Sequence, residues 1–373
     1  MKRTKNKRFF AAALLPSLLL FQFALSRTLL AQQAKPDSTQ MKRAGWTGFP
    51  FIFYTPETKF GGGGAINYFF REAGSGINAR PSSLIPVVVY TQKQQISATL
   101  FADLYWKQEK NHLMGTASYS NWPNLFYGIG NNTLNDGEDY TQRAVALDLR
   151  FLRKARGGMY LGAQYQFLRS RLAKIEKDGQ LACGDILGSD EGTASGVGAL
   201  VSWDTRDNIF NAASGSYHQF SARTFHEHLR SDFAFTNYQI DLRKYFPLNT
   251  SHVLAVQGYM NVIKGDPPFY MMSLLGGQYL MRGYYEGRYR DKNMLAVQTE
   301  YRLPLWKRIG ATGFAGYGEV APEISGFALK NLKLSVGMGL RYLLVPEEKI
   351  NLRLDFGWGK DSSGFYLAMT EAF

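Results

Sequence analysis

Between residues 46 and 373 the chain repeats one texture: runs of about ten residues in which apolar and polar side chains alternate, parted by Gly, Asn, Asp and Pro. Successive side chains of an extended strand point to opposite faces, so each run predicts a β-strand with one apolar face. In Asn351–Trp358, Leu352, Leu354, Phe356 and Trp358 oppose Asn351, Arg353 and Asp355. Val145, Leu147, Leu149 and Phe151 oppose Ala144, Ala146, Asp148 and Arg150, and Tyr238, Ile240 and Leu242 oppose Asn237, Gln239, Asp241 and Arg243. Charge keeps to one face. Reading backward, strands are expected near 364–373, 349–359, 332–345, 310–320, 293–305, 251–264, 232–246, 215–229, 195–207, 159–173, 141–154, 111–121, 95–107, 84–92 and 59–70.

The apolar face is rich in aromatics and the gaps alternate between tight and long, which suits a transmembrane antiparallel β-barrel better than a soluble sandwich. Such a barrel normally closes with an even number of strands, so the fifteen runs call for one more, hidden in Gly48–Tyr54. Sixteen strands is the expectation and fourteen the alternative. The chain ends on Phe373, expected in phase with Phe365, Leu367 and Met369 as the C-terminal barrel signal read by assembly machinery.

Composition bears on export and excludes other classes. Lys2, Arg3, Lys5, Lys7 and Arg8 precede an uncharged run from Phe9 to Leu25, the plan of a cleaved signal peptide, taken as residues 1–31. Cleavage after Ser26 or after Ala31 satisfies the sequence equally. Residues 32–45 form a polar leader and residues 46–373 the barrel domain, which places the protein in the outer membrane of a Gram-negative bacterium. The formal charge is +13, but six of the 43 basic residues precede position 32, leaving 37 against 30 acids. That excess is dispersed, so no nucleic-acid partner is expected. Cys183 is alone, which rules out a disulfide framework and a lipid-anchored cysteine at either cleavage point. No mature segment is apolar enough for a membrane helix.

One stretch is neither strand nor turn: Leu274-Leu275-Gly276-Gly277-Gln278-Tyr279-Leu280-Met281-Arg282-Gly283-Tyr284-Tyr285-Glu286-Gly287-Arg288. Gly276-Gly277 followed by Met281-Arg282-Gly283-Tyr284 resembles the Arg-Gly-aromatic loop of the BamA/TamA outer-membrane family, the bacterial surface antigens. Asp204-Thr205-Arg206-Asp207 with Gly215, Glu300-Tyr301-Arg302-Leu303, Gly337–Tyr342 and Leu352–Gly357 resemble further landmarks in the family's order. Pro56-Glu57-Thr58 and Tyr127–Asn131 are weaker matches. The resemblance implies a sixteen-strand barrel whose long sixth outer loop folds into the lumen with Arg282 docked on the wall. It also implies a role in insertion or translocation of proteins at the outer membrane.

Strand parity points the same way. With Leu295, Val297, Tyr301 and Leu303 facing lipid, Gln298, Glu300 and Arg302 face the lumen, so Glu300 can meet Arg282 through the planar guanidinium fork. Gly316 stands where the family usually has an Asp, and Glu319 lies on the opposite face, so the lock is expected either to rest on Glu300 alone, with weaker anchoring, or to be completed by lumenal water or another acid.

The remaining candidates read more plainly. His226 and His228, expected on one strand face, lack a third ligand and suit a polar rim pair better than a metal site. Asp204, Arg206 and Asp207 suit an ion-paired strand end, and Ser195 has no partner His. No catalytic residue, metal or cofactor is expected. Tyr105, Trp106, Trp122, Tyr127 and Trp306 are expected in interface girdles, and Met271-Met272 in packing. The family's client-folding members carry periplasmic POTRA modules, for which residues 32–45 have no room. Clients would then be outer-membrane proteins delivered by a separate periplasmic or barrel-assembly partner. A passive diffusion channel and a lipid-handling barrel are the alternatives.

Overall fold

The computed structural model describes residues 44–72, 81–249, 251–346 and 349–373. The expected signal peptide and all but the last two residues of the expected leader lie outside them. Eighteen strands follow in order: β1 (Ala44–Thr55), β2 (Lys59–Phe70), β3 (Ser82–Thr91), β4 (Ile96–Trp106), β5 (Asn111–Phe126), β6 (Glu138–Lys154), β7 (Met159–Ile175), β8 (Gly192–Asp204), β9 (Gly215–Phe225), β10 (Phe235–Pro247), β11 (Val253–Gly265), β12 (Ser273–Leu275), β13 (Tyr289–Asp291), β14 (Asn293–Trp306), β15 (Ile309–Ala321), β16 (Lys333–Val345), β17 (Ile350–Gly359) and β18 (Ser362–Met369). Sixteen close into one antiparallel barrel, while β12 and β13 form a separate ribbon within the loop that joins β11 to β14. Among the described residues no helix is long and apolar enough to cross a membrane.

The alternation is carried out as read. Leu354, Phe356 and Trp358 of β17 face outward while Arg353 and Asp355 are buried inside. β14 turns Val297 and Tyr301 out and Gln298, Glu300 and Arg302 in. The hidden strand is β1, which begins at Ala44, two residues before the expected barrel start. It escapes the alternation rule because Phe51 and Phe53 are buried on the lumen side while Trp46 and Ile52 face lipid.

Closure is uneven. β1 pairs with β2 along its whole length, Ala44 opposite Phe70 through Thr55 opposite Lys59. With β18 it pairs at one register position only, Tyr54 opposite Leu367.

Three expectations are corrected. The last strand ends at Met369, because Thr370 takes a left-handed φ of 64° and turns the chain inward. Phe373 therefore does not continue the lipid-facing row; it is buried against Ala212, Tyr245, Val253 and Ala255. Trp122 and Tyr127 are not girdle residues, since both are buried with Leu125 and Tyr285 of the long loop. Trp306, 64% exposed, and Trp106, against Phe151 on the outer wall, do lie outward. His226 and His228 sit beyond the end of β9, in a turn around Glu227–Leu229, with Glu227 beside them and all three exposed.

Candidate functional site

The loop from Asp266 to Lys292 enters the lumen as the β12–β13 ribbon, and its tip, residues 276–288, lies on the inner wall. Five positive φ values bend it: Gly276 (114°), Gly277 (100°), Met281 (57°), Gly283 (108°) and Gly287 (80°). Gly276 must be glycine, because a Cβ there would collide with the Tyr284 and Tyr285 carbonyl groups across the turn.

At the tip, Arg282 is buried to 1% exposure between two carboxylates. Its Nη2 donates to Glu300 Oε2 at 2.5 Å and its Nη1 to Asp355 Oδ2. The guanidinium also lies over the Phe314 ring, 3.6 Å from its centre. The lock is thus two-acid: Glu300 does not act alone, and Asp355 is the other acid that completes it. Asp355 arrives from β17, on the inward face that parity assigned to it. Gly316, where an acid was expected, lies beneath Met281, and a Cβ there would stand 3.1 Å from the Met281 sulfur.

These groups belong to a larger buried network. Arg302 Nε donates to Glu300 Oε1 at 2.8 Å, Arg341 Nη1 to Asp355 Oδ1 at 2.6 Å, and Arg341 Nε to Glu371 Oε2 at 2.7 Å. Arg302 Nη2 reaches the Phe373 oxygen at 2.8 Å, and Arg353 Nη1 lies 3.3 Å from Asp355. Salt bridges therefore run from the loop tip through β14, β16 and β17 to the inward-turned chain end. Glu371 and Arg341 were missed by sequence reading: Glu371 falls after the break in strand phase, and Arg341, quoted within a motif, was given no role.

Backbone contacts seat the tip beside the ion pairs. Gly283 N–H donates to the Tyr366 hydroxyl at 3.0 Å, and the Gly283 carbonyl accepts from Ser362 Oγ at 2.7 Å. The loop here lies directly on the wall. A Cβ on Gly283 would be 2.6 Å from the Trp358 carbonyl carbon, and one on Gly357 would be 2.7 Å from Arg282 and Gly283 backbone atoms. Tyr284 lies over Gly359, where its hydroxyl accepts from Lys360 N–H at 2.7 Å and donates to the Leu334 carbonyl at 2.9 Å. Gln298 and Arg353 hold the preceding carbonyls of Tyr279 and Gln278 at 2.8 and 3.0 Å.

Above the tip, Glu57 in the β1–β2 turn accepts from Glu286 N–H at 3.0 Å. Burial pushes its carboxyl above the ordinary range against the opposing pull of that hydrogen bond. At the other end of the barrel, Arg206 pairs bidentately with Asp204 at 2.9 and 2.7 Å and covers the Tyr217 ring. Asp207 clamps the same turn by accepting from Ala213 and Ser214 N–H at 2.9 and 3.0 Å. These bonds hold its carboxyl below the ordinary range despite partial burial. Ser195 meets the Tyr165 hydroxyl at 3.1 Å.

Between the loop and the opposite wall lies a cavity of about 410 Å³, where polar side chains such as Gln142, Ser118, Asp241 and Arg243 alternate with apolar ones such as Leu168, Phe235 and Met271. The arrangement is a plug held by ion pairs beside a wall whose first and last strands pair at one register position.

Known proteins share this build. Among curated proteins none matches the chain by sequence. A crystal structure of BamA from Haemophilus ducreyi lacking POTRA domains 1–3 is similar with a TM-score of 0.64 at 13% identity, covering 95% of this chain and 78% of that one. CdiB from Acinetobacter baumannii is similar with a TM-score of 0.60 at 14% identity, covering 89% of this chain and 60% of CdiB. The Omp85 superfamily domain matches residues 74–373. With the family model spanning most of the chain and the barrel closed at sixteen strands, the protein is an outer-membrane barrel that belongs to the Omp85 superfamily.

Proposed function

We propose that this barrel assists the insertion or translocation of proteins at the outer membrane, with client strands pairing on the edge of β1 that faces β18. The observation that carries the reading is the β1–β18 seam, where among the described residues the two strands pair at one register position, Tyr54 opposite Leu367. A strand edge with so little pairing to its neighbour offers N–H and C=O groups that another strand can take up, and in a bilayer those groups gain strongly from doing so. Clients are outer-membrane proteins, brought by a separate periplasmic or barrel-assembly partner. Depleting the protein and quantifying the outer-membrane proteome tests this. Selective loss of a set of β-barrel proteins is expected, and an unchanged profile refutes the role.

A passive diffusion channel would need an open lumen, whereas here the loop tip is fixed against the wall by Glu300 and Asp355. In planar bilayers the wild type is expected to show little steady conductance. Arg282→Ala, which removes both ion pairs at once, is expected to open larger and longer-lived pores. Large steady pores in the wild type would favour the channel instead.

A further inference from the structure

In most of this barrel the wall is apolar outside and polar inside. The sector β1–β4 breaks that rule. Its inner surface carries Phe51, Phe53, Ile85, Val87, Val89 and Phe101, all buried in one cluster. Its outer surface is apolar as well, through Ile52, Ile66, Val88 and Leu100. The inner surface is also flat, because Gly61 and Gly63 leave room for the Phe53 and Phe51 rings to lie against β2. In this state Tyr279 of the loop and Met369 of the last strand pack on it.

Three buried side chains near this wall carry polar atoms with no hydrogen-bond partner: both ends of the Asn67 amide, at 0% exposure, the Ser83 hydroxyl, and the Tyr279 hydroxyl. Asn67 lies three residues before the end of β2 and Ser83 in the first turn of β3, so both stand at the end of the wall remote from Glu57 and the loop entrance. Leaving such groups unpaired under an apolar surface is costly, and a native site of this kind calls for a ligand or water that satisfies them.

We propose that the inner wall of β1–β4 is a binding site for a phospholipid acyl chain that enters from the bilayer through the β1–β18 seam, with its ester end meeting Asn67 and Ser83. The bilayer is the solvent on the other side of that seam, and the strand at the seam is apolar on both faces. Separation of β1 from β18 therefore makes one continuous apolar surface from the lipid to the lumen. A client strand with alternating faces would match only one side of β1; a hydrocarbon chain matches both. Tyr279 and Met369 occupy the wall when the chain is absent. The inference rests on the same weak seam as the assembly role but on no client.

The purified full-length protein, reconstituted in phosphatidylethanolamine–phosphatidylglycerol vesicles that contain phosphatidylethanolamine with a mid-chain diazirine, is irradiated and its adducts are mapped by mass spectrometry. Outward residues such as Ile52 and Val88 label in any case. The expected result is additional labelling of inward Phe51, Phe53 and Val87. Linking the seam with the pair Tyr54→Cys and Leu367→Cys under oxidising conditions should reduce inward labelling roughly tenfold while outward labelling stays, with recovery on reduction. Asn67→Leu should lower inward labelling several-fold without changing the seam. Absence of inward labelling in the wild type, or inward labelling that persists with the seam linked, overturns the proposal. No client is present, so this result stands apart from that of the depletion experiment.

Discussion

Glu300→Gln is expected to destabilise the barrel more than Arg282→Met, although both break the same ion pair. The network holds four guanidinium groups, Arg282, Arg302, Arg341 and Arg353, against three carboxylates, Glu300, Asp355 and Glu371, all with side chains no more than 8% exposed. It is short of acceptors already: Arg282 Nε, Arg341 Nη2 and Arg353 Nε and Nη2 have no hydrogen-bond partner. Removing Arg282 leaves three charges of each sign, and each acid keeps another guanidinium, Arg302 at 2.8 Å from Glu300 and Arg341 at 2.6 Å from Asp355. Removing the Glu300 charge leaves four cations against two anions among side chains that are nearly all buried. Stripping a buried pair of one partner in this way costs about 3–5 kcal/mol. Arg282→Met should cost about 1–3 kcal/mol, the loss of charge-assisted bonds whose acceptors remain paired. Equilibrium unfolding of both variants in lipid vesicles measures the order. Arg282→Met proving the more damaging would mean that the network is held together by loop docking rather than by its carboxylates.

How much of this could be read in advance depends on whether a feature obeys strand parity. Where one face meets lipid and the other a polar lumen, parity gives the side of every residue, and strands outside the β1–β4 sector, such as β14 and β17, follow from it. β1 does not, because Phe51 and Phe53 inside match Ile52 outside and no alternation remains to detect. Parity also puts Glu300 and Asp355 on the inner face, yet it says nothing of which inner residues meet across different strands. The Asp355 half of the lock needed the path of the loop in three dimensions. Trp122 was misread because an aromatic near a strand end serves a lipid girdle or a buried loop contact equally well, and only the position of Tyr285 decides. Parity fails outright after Met369, where the left-handed Thr370 breaks the strand and sends Glu371 to Arg341 and Asn351. The Arg-Gly-Tyr motif was legible as a motif, and the close approach of its backbone to Gly357 was not, since that glycine lies on another strand.

That pair of glycines gives the cleanest separation of loop docking from barrel stability. Gly357 lies in β17 with its missing side chain aimed at the loop, where a Cβ would be 2.7 Å from the Arg282 carbonyl carbon and from Gly283 N. Neither side can yield easily, because both are backbone. Its own backbone is ordinary strand, so alanine there imposes no conformational strain and should leave β17 as stable as before. The cost falls on docking alone: overpacking of this kind amounts to about 1–3 kcal/mol. At 1.4 kcal/mol per factor of ten, the undocked loop population should rise by about 5- to 150-fold. Gly283→Ala should have a larger effect, since its φ of 108° adds backbone strain to a clash with Trp358. Gly313→Ala is the matched control, a barrel glycine whose Cβ would meet nothing within 4 Å. The readout is the rate at which a membrane-impermeant thiol reagent modifies a cysteine placed at Met281, buried in the docked loop, in a Cys183→Ser background. The expected order is Gly283→Ala fastest, then Gly357→Ala, with Gly313→Ala at the wild-type rate. Equal rates for Gly357→Ala and Gly313→Ala would show that the loop tip is held by its ion pairs without needing the close backbone contact.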